Sequence, residues 1–161
     1  MLAPPDGAWA AAAAVPDPEL RVISIAELGI LRDVAVDADG AVTVTITPTY
    51  TGCPAMDAIR ADVRRAVRAA GYGRVAVVTV LDPAWSTEDI TAAGRAKLAA
   101  AGVAPPTARG PAGPVPVRLS VRCPRCGTMD TEELSRFGST ACKALYRCRA
   151  CAEPFDHFKP L

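Results

Sequence analysis

The segments Cys123-Pro-Arg-Cys126 and Cys148-Arg-Ala-Cys151 each hold two cysteines three positions apart, with 21 residues between the two pairs. A CxxC turn directs two thiolates at one metal ion, and two such turns supply the tetrahedral sulfur set that suits Zn²⁺. Gly127 follows the first pair and tolerates the positive φ of a tight turn. The spacing therefore predicts a zinc ribbon with a structural metal ion, because four thiolates leave no coordination position for water.

Two alternatives for these cysteines stay open at the level of sequence. The same sulfur set also suits iron, either as a single ion or within a cluster. Free or disulfide-bonded cysteines are the other alternative, which a cytoplasmic location disfavours. We expect that location because Met1–Ala14 lacks a basic flank and is too short to span a bilayer.

The proline and glycine content divides the chain. Residues 104–116 contain five prolines and two glycines, a composition that neither a helix nor a central strand accommodates. We predict an α+β domain at residues 1–102, a linker at 103–116 and the zinc ribbon at 117–161.

The first domain is predicted to be a small three-stranded β-β-α-β unit with flanking helices. Asp37-Ala-Asp-Gly40 is a hairpin signal between two strands, and the third segment is so apolar that it predicts an inner strand. Ser86 and Asp89 are spaced as a helix cap. The predicted strands span residues 30–36, 42–47 and 74–81, and the predicted helices span 7–15, 54–70 and 86–101.

Cys53 lies between a predicted strand and a predicted helix. A helix N-terminus stabilises a thiolate, so we expect a lowered pKa for Cys53 and a capacity to hold iron, an iron–sulfur cluster or sulfane sulfur. The alternative is a small buried hydrophobe. Asp17 and Glu19 are candidate ligands, although helix capping explains Asp17 equally well.

Two further residues have weaker signals. Cys142 falls outside the ribbon spacing, which favours a spare packing cysteine, with partnership to Cys53 as the alternative. His157 is the only histidine, and we expect it on an exposed tail. One histidine excludes a two-histidine facial triad and the paired Glu-x-x-His di-iron pattern. Without a Walker loop, GxGxxG or GxSxG motif, the chain is predicted to be non-catalytic.

Several longer motifs resemble known families. Asp17-Pro-Glu-Leu20, Thr47-Pro-Thr49 and Gly52-Cys-Pro-Ala-Met56 are similar to the SufT-like domain of iron–sulfur assembly factors. The run from Phe137 to Asp156, with FGSTACKALYRC at its start, adds a resemblance to the PaaD family. This family comprises the D components associated with the phenylacetyl-CoA epoxidase of bacterial phenylacetate degradation.

The resemblance implies an accessory protein that helps to assemble an iron–sulfur or di-iron centre. Its partners would be the oxygenase component, which is a di-iron protein, or the reductase component, which carries flavin and an iron–sulfur cluster. Carried over by position, Cys53 matches the assembly cysteine, Asp17 and Glu19 match the acidic motif, and the ribbon cysteines match the zinc ligands.

Three functional hypotheses follow. The leading one is a maturation factor that carries a transient iron–sulfur cluster or iron. Cys53 would be the ligand that transfers this cargo, and the ribbon would provide the docking surface. The second is a stoichiometric, non-catalytic subunit of the epoxidase. The third, a nucleic-acid-binding ribbon, is disfavoured because the net charge is only +1, and we expect neither nucleic acid nor membrane as a partner. Its candidate contacts would be arginines of the ribbon: Arg118, Arg122, Arg125, Arg147 and Arg149.

Overall fold

The computed structural model describes residues 5–106 and 120–160 of the chain. Its elements fall into two units, residues 1–91 and 92–161, and they confirm the α+β prediction. The helices are α1 (Pro5–Ala13), α2 (Ala55–Ala69) and α3 (Ala92–Ala100). The strands are β1 (Leu31–Val36), β2 (Val42–Ile46), β3 (Val75–Thr79), β4 (Val103–Ala104), β5 (Thr131–Ser135), β6 (Lys143–Cys148) and β7 (Pro154–Phe158).

The first unit is built on a three-stranded sheet in the order β1-β2-β3. Strands β1 and β2 are antiparallel, and the Asp37 carboxylate closes their hairpin by accepting the backbone N–H groups of Asp39 and Ala41 at 3.0 and 2.7 Å. Helix α2 carries the chain across to β3, which is parallel to β2. The spacing of its apolar residues predicts one stripe of Met56, Ile59, Val63, Val67 and Ala70 on this helix; the first four are buried, whereas Ala70, at the C-cap, is exposed.

Strand β3 is an edge strand, so the prediction of an inner strand is wrong. It pairs with β2, while β1 occupies the other side of β2. Its side chains alternate between half-buried and exposed, and Val78 is 45% exposed. An unbroken apolar run is compatible with a central strand and with an edge strand. Here the β1–β2 hairpin makes β2 the central strand and leaves β3 at the edge.

The predicted helix at residues 86–101 is divided in two. Ser86 and Asp89 do form a capping box, but it caps a 3-10 helix of three residues, Thr87–Asp89. Ile90 then adopts an extended conformation, and the Thr91 N–H donates to the Glu27 carbonyl at 2.9 Å. A tertiary hydrogen bond therefore interrupts the helix, and α3 begins only at residue 92.

Gly29 lies where this capped segment meets the loop before β1. The Trp85 indole N–H donates to the Leu28 carbonyl at 2.8 Å. Gly29 has a φ of +79°, and a Cβ atom on it would lie 2.6 Å from the Asp89 Cβ and 2.6 Å from the Asp89 carbonyl oxygen. This close approach requires glycine.

The second unit contains a four-stranded sheet in the order β4-β7-β6-β5. Val103 and Ala104, which the sequence assigns to the linker, form β4 and pair in parallel with β7. Most of the predicted linker, residues 107–116, lies outside the described residues, as do residues 117–119 of the predicted ribbon. The division between the two units also falls at residues 91 and 92 instead of 102 and 103.

His157 is buried in β7, so the expectation of an exposed tail is wrong. Its side chain is 6% exposed, its Nδ1 lies 3.2 Å from the Ala104 carbonyl oxygen, and its ring meets Tyr146 edge-on at 5.6 Å. Burial lowers the pKa of His157. Strand alternation explains the position, because His157 follows Phe155 on the face that points into the ribbon core.

Candidate metal centre and assembly cysteine

The four ribbon cysteines converge on one point. Their sulfur atoms all lie within 4.8 Å of one another, with Cys123 to Cys151 at 3.8 Å and Cys126 to Cys148 at 3.5 Å. A zinc–sulfur bond of about 2.3 Å in a tetrahedron requires sulfur atoms roughly 3.8 Å apart. The donor set and its spacing therefore fit a structural Zn²⁺ ion.

Two similar turns present these sulfurs. In the first, the Gly127 N–H donates to the Cys123 carbonyl at 2.9 Å, and Gly127 has the predicted positive φ, at 76°. In the second, Ala152 occupies the matching place after Cys151 with a φ of 61°. Sequence patterns do not predict this strained alanine, because no glycine marks the second turn.

Thr131 fastens the segment before the first turn to the sheet. Its hydroxyl accepts the Val121 N–H at 3.1 Å and donates to the Val121 carbonyl at 2.6 Å. Both residues are buried. A threonine side chain thus takes the place of a strand partner, a role that sequence spacing does not reveal.

The thiols of the ribbon ionise unequally. The Cys151 backbone N–H, 3.4 Å from the Cys148 sulfur, lowers the pKa of Cys148 to about 7. At Cys151 the Glu153 N–H lowers the pKa, but burial and the neighbouring sulfurs outweigh it and raise the pKa to about 12. Cys148 therefore ionises more readily than Cys151, and a bound cation favours the thiolate form of its ligands.

The ribbon arginines named above as possible nucleic-acid contacts have partners within the protein. Glu132 accepts hydrogen bonds from Arg147 and Arg149, and Arg125 forms an ion pair with Glu153. The Arg122 guanidinium donates to a backbone carbonyl at 2.6 Å. Arg118 lies outside the described residues.

Cys53 lies in the loop between β2 and α2, directly before the helix, and is half-buried. Burial raises the pKa of its thiol; the Ala55 N–H lowers it, Glu19 raises it, and the hydroxyls of Thr49 and Tyr50 lower it. The net shift is upward, so the expectation of a lowered pKa for Cys53 is wrong, although the helix N-terminus does contribute in the expected direction. Desolvation and a nearby carboxylate outweigh the helix and hydroxyl donors.

The comparisons with known proteins cover both units. A family model described as the PaaD zinc beta ribbon domain matches residues 110–159, and one described as iron–sulfur cluster assembly protein matches residues 7–83. The chain is 45% identical to an Escherichia coli K12 protein whose name describes it as a subunit of a "Putative 1,2-phenylacetyl-CoA epoxidase", over 94% of this chain and 90% of that protein. The chain belongs to the PaaD family.

Further relatives match about half of this PaaD-family chain. It is 41% identical over 73 residues to an "Fe-S protein maturation auxiliary factor" of Porphyromonas gingivalis W83, covering 45% of this chain and 69% of that protein. A domain of unknown function from Bacillus anthracis matches 58% of this chain and 90% of its own, with a TM-score of 0.54 and 30% identity. A conserved hypothetical protein from Thermotoga maritima matches 60% of this chain and 94% of its own, with a TM-score of 0.51 and 28% identity.

The acidic motif of the PaaD-family chain divides into two roles. The Asp17 carboxylate accepts the backbone N–H groups of Glu19 and Leu20 at 2.9 and 2.7 Å and so caps a turn, because no helix begins between α1 and β1. Glu19 lies close enough to act electrostatically on Cys53. Within residues 5–106 and 120–160, the ribbon cysteines are the one group of three or more such ligands found together, so Asp17, Glu19 and Cys53 form no compact three-ligand site.

Cys142 is buried beside the hairpin between β5 and β6. The Thr140 hydroxyl oxygen lies 3.0 Å from its sulfur, and its carbonyl accepts the Lys159 N–H at 2.9 Å. These contacts are those of a packing cysteine.

Across the described part of the chain, no helix combines the length and apolarity that crossing a bilayer requires.

Replacing Glu19 tests its electrostatic link to Cys53. Because the Glu19 carboxylate raises the pKa of the Cys53 thiol, Glu19→Gln should lower that pKa and speed alkylation of Cys53 several-fold at pH 7.5. Iodoacetamide labelling of the zinc-loaded protein, quantified on the Cys53 peptide, measures the rate. Glu88→Gln is the matched control, and equal rates for the two variants would refute the link.

Proposed function

We propose that this chain is a non-catalytic maturation factor of the cytoplasm that helps to assemble an iron–sulfur or di-iron centre of a phenylacetyl-CoA epoxidase. The observation that carries the proposal is the environment of Cys53, a half-buried thiol next to the carboxylate of Glu19. The name of the Escherichia coli relative supports the choice of epoxidase.

The raised pKa argues for a metal ligand over a free nucleophile. At neutral pH the Cys53 thiol keeps its proton, since burial and Glu19 both oppose the thiolate. A cationic iron species reverses this balance, because the metal ion takes the place of the proton on a coordinating thiol and the proton is released to solvent. Cys53 is thus inert until its cargo arrives.

The small number of ligands near Cys53 favours transfer over storage. A resident zinc site has three or four protein ligands, whereas Cys53 and Glu19 supply at most two. In the proposed role, the remaining coordination positions of the cargo are filled by sulfide or by the recipient protein. Exchange of these outside ligands would release the cargo to the recipient.

The ribbon is assigned the docking role. Its metal ion is structural, and its sheet holds the two cysteine turns in a fixed geometry through contacts such as the Thr131–Val121 pair. The proposed recipients are the oxygenase component or the reductase component of the epoxidase.

The experiment is co-production of the epoxidase components with wild-type protein or with Cys53→Ala. We expect Cys53→Ala to reduce the iron content and activity of the epoxidase about tenfold or more, since loss of a side chain that only orients a ligand already costs about ten- to hundredfold in metal affinity. Cys142→Ala is the matched control, because it removes the thiol of another cysteine outside the four-cysteine metal site. Full metallation with Cys53→Ala would refute the transfer role.

A second candidate function is favoured by the name of the same relative, which describes a component of the epoxidase itself. In that case the chain is a stoichiometric, non-catalytic part of the epoxidase. Co-purification with the oxygenase at a fixed ratio that survives gel filtration would favour this second function, whereas transient association would favour maturation.

A further inference from the structure

The two edges of the first sheet are built differently. Strand β1 has a bulge between Leu31 and Asp33, carries Arg32 and Asp33, and contacts α1. Strand β3 has an uninterrupted register with β2 and no charged residue between Val75 and Leu81. Bulges and charges protect an edge from pairing with another strand, so β1 is protected and β3 is not.

The free hydrogen-bonding groups of β3 can be assigned. The Arg74 carbonyl accepts the Val42 N–H at 2.8 Å, and the Val80 N–H donates to the Ile46 carbonyl at 2.9 Å. Backbone groups alternate in direction along a strand, so the even-numbered residues point their N–H and C=O groups toward β2. The groups of Val75, Val77 and Thr79 therefore point outward from the sheet edge.

Charges of opposite sign flank this edge. Arg74 and Asp82 lie just before and after the apolar run, and both are exposed. Arg74 donates to a backbone carbonyl at 3.1 Å, and Asp82 has no ion pair among the described residues. Arg74 directly precedes β3 and Asp82 follows its last residue, Thr79, by three positions, so the exposed Val78 lies four residues from each charge.

We propose that β3 pairs with β3 of a second copy of this chain, antiparallel and with the two-fold axis at Val78. In this register Val77 faces Thr79 of the second copy, so outward N–H and C=O groups meet outward groups. With the pairing continued past Thr79, Arg74 comes opposite Asp82 of the second copy on one side of the axis, and the same pair repeats on the other side. One symmetric contact thus satisfies both the backbone and the charges.

The alternative register, centred on Val77, also aligns the backbone groups but places Arg74 opposite Val80. It makes no ion pair between the copies. Opposite charges directly across two strands are stabilising and like charges are destabilising, so the charges select the register centred on Val78. The joined sheet has six strands, and both of its outer edges are the protected strand β1.

Sedimentation velocity of the zinc-loaded full chain tests the pairing, at concentrations up to about 200 µM because an edge contact is small and weak. The expected species has twice the 16.7 kDa mass of the chain. Arg74→Asp and Asp82→Arg should each weaken the dimer about tenfold or more, since two attractive pairs become repulsive. Val78→Lys should abolish it by placing two lysines together at the axis.

Two combinations restore the charges. The double variant Arg74→Asp with Asp82→Arg should dimerise again, and a mixture of the two single variants should form a heterodimer in which each carboxylate faces an arginine. Thr43→Lys is the matched control, because Thr43 is exposed on the central strand β2, away from the edge. A monomer throughout the concentration range, or a dimer unaffected by Val78→Lys and the charge variants, would overturn the proposal.

Discussion

Removal of zinc is expected to unfold the ribbon, residues 120–160, and to leave residues 5–91 folded. The ribbon has a small core, and two of its buried members are the metal ligands Cys123 and Cys148. Without the ion, these sulfurs lose the cation that offsets their mutual repulsion. Structural zinc contributes roughly 10 kcal/mol or more to folding in small domains, which exceeds what a core of this size supplies.

Residue-resolved hydrogen exchange before and after chelation measures this effect. Amides of β5, β6 and β7 should lose protection, and those of β1, β2 and α2 should retain it. Cys148→Ser should have the same effect without chelator, because it removes one ligand, whereas Cys142→Ala should keep the ribbon protected. Ribbon amides that stay protected from exchange after complete zinc removal would show that the hydrophobic core alone keeps the ribbon folded.

Gly29→Ala is expected to destabilise the first unit by about 3 kcal/mol, combining left-handed backbone strain with overpacking. The new Cβ atom would meet the backbone and Cβ of Asp89 at 2.6 Å. Neither group can move freely, since the side chain of Asp89 closes the capping box with Ser86 and also pairs with Arg32 at 3.2 Å.

Gly71→Ala separates strain from clash in the same measurement, urea unfolding of the zinc-loaded protein. Gly71 also has a positive φ, at 101°, but nothing lies within 4 Å of its added Cβ atom. Its substitution should therefore cost only about 1 kcal/mol of backbone strain. Equal decreases in the free energy of unfolding for the two variants would mean that Asp89 shifts to accommodate the new methyl group.

The metal centre was predictable because its information is local. Two CxxC turns specify four ligands by spacing alone, and the sulfur geometry follows once the turns approach each other. The hairpin at Asp37–Gly40 and helix α2 were predictable for the same reason, since a turn signal and an apolar stripe depend on neighbours in the sequence.

The features that the sequence did not reveal depend on distant partners. The apolar run of β3 does not specify how many strands flank it, and the hydrogen bond from Thr91 to Glu27 interrupts a helix that its own residues favour. His157 is buried because strand alternation turns it toward Tyr146. The pKa of Cys53 depends on a balance of burial, Glu19 and hydrogen-bond donors that only coordinates supply.

The central claim, that Cys53 carries iron–sulfur cargo while the ribbon holds zinc, is tested most directly by one analysis. Zinc, iron and acid-labile sulfide are measured in wild-type protein and in Cys53→Ala, both purified anaerobically and then supplied with Fe²⁺ and sulfide, because the proposed site receives its cargo from outside. We predict one zinc ion per chain in both, matching the single four-cysteine site in the described residues, with iron and sulfide in the wild type alone. Iron and sulfide retained by Cys53→Ala, or missing from both proteins, would contradict the claim.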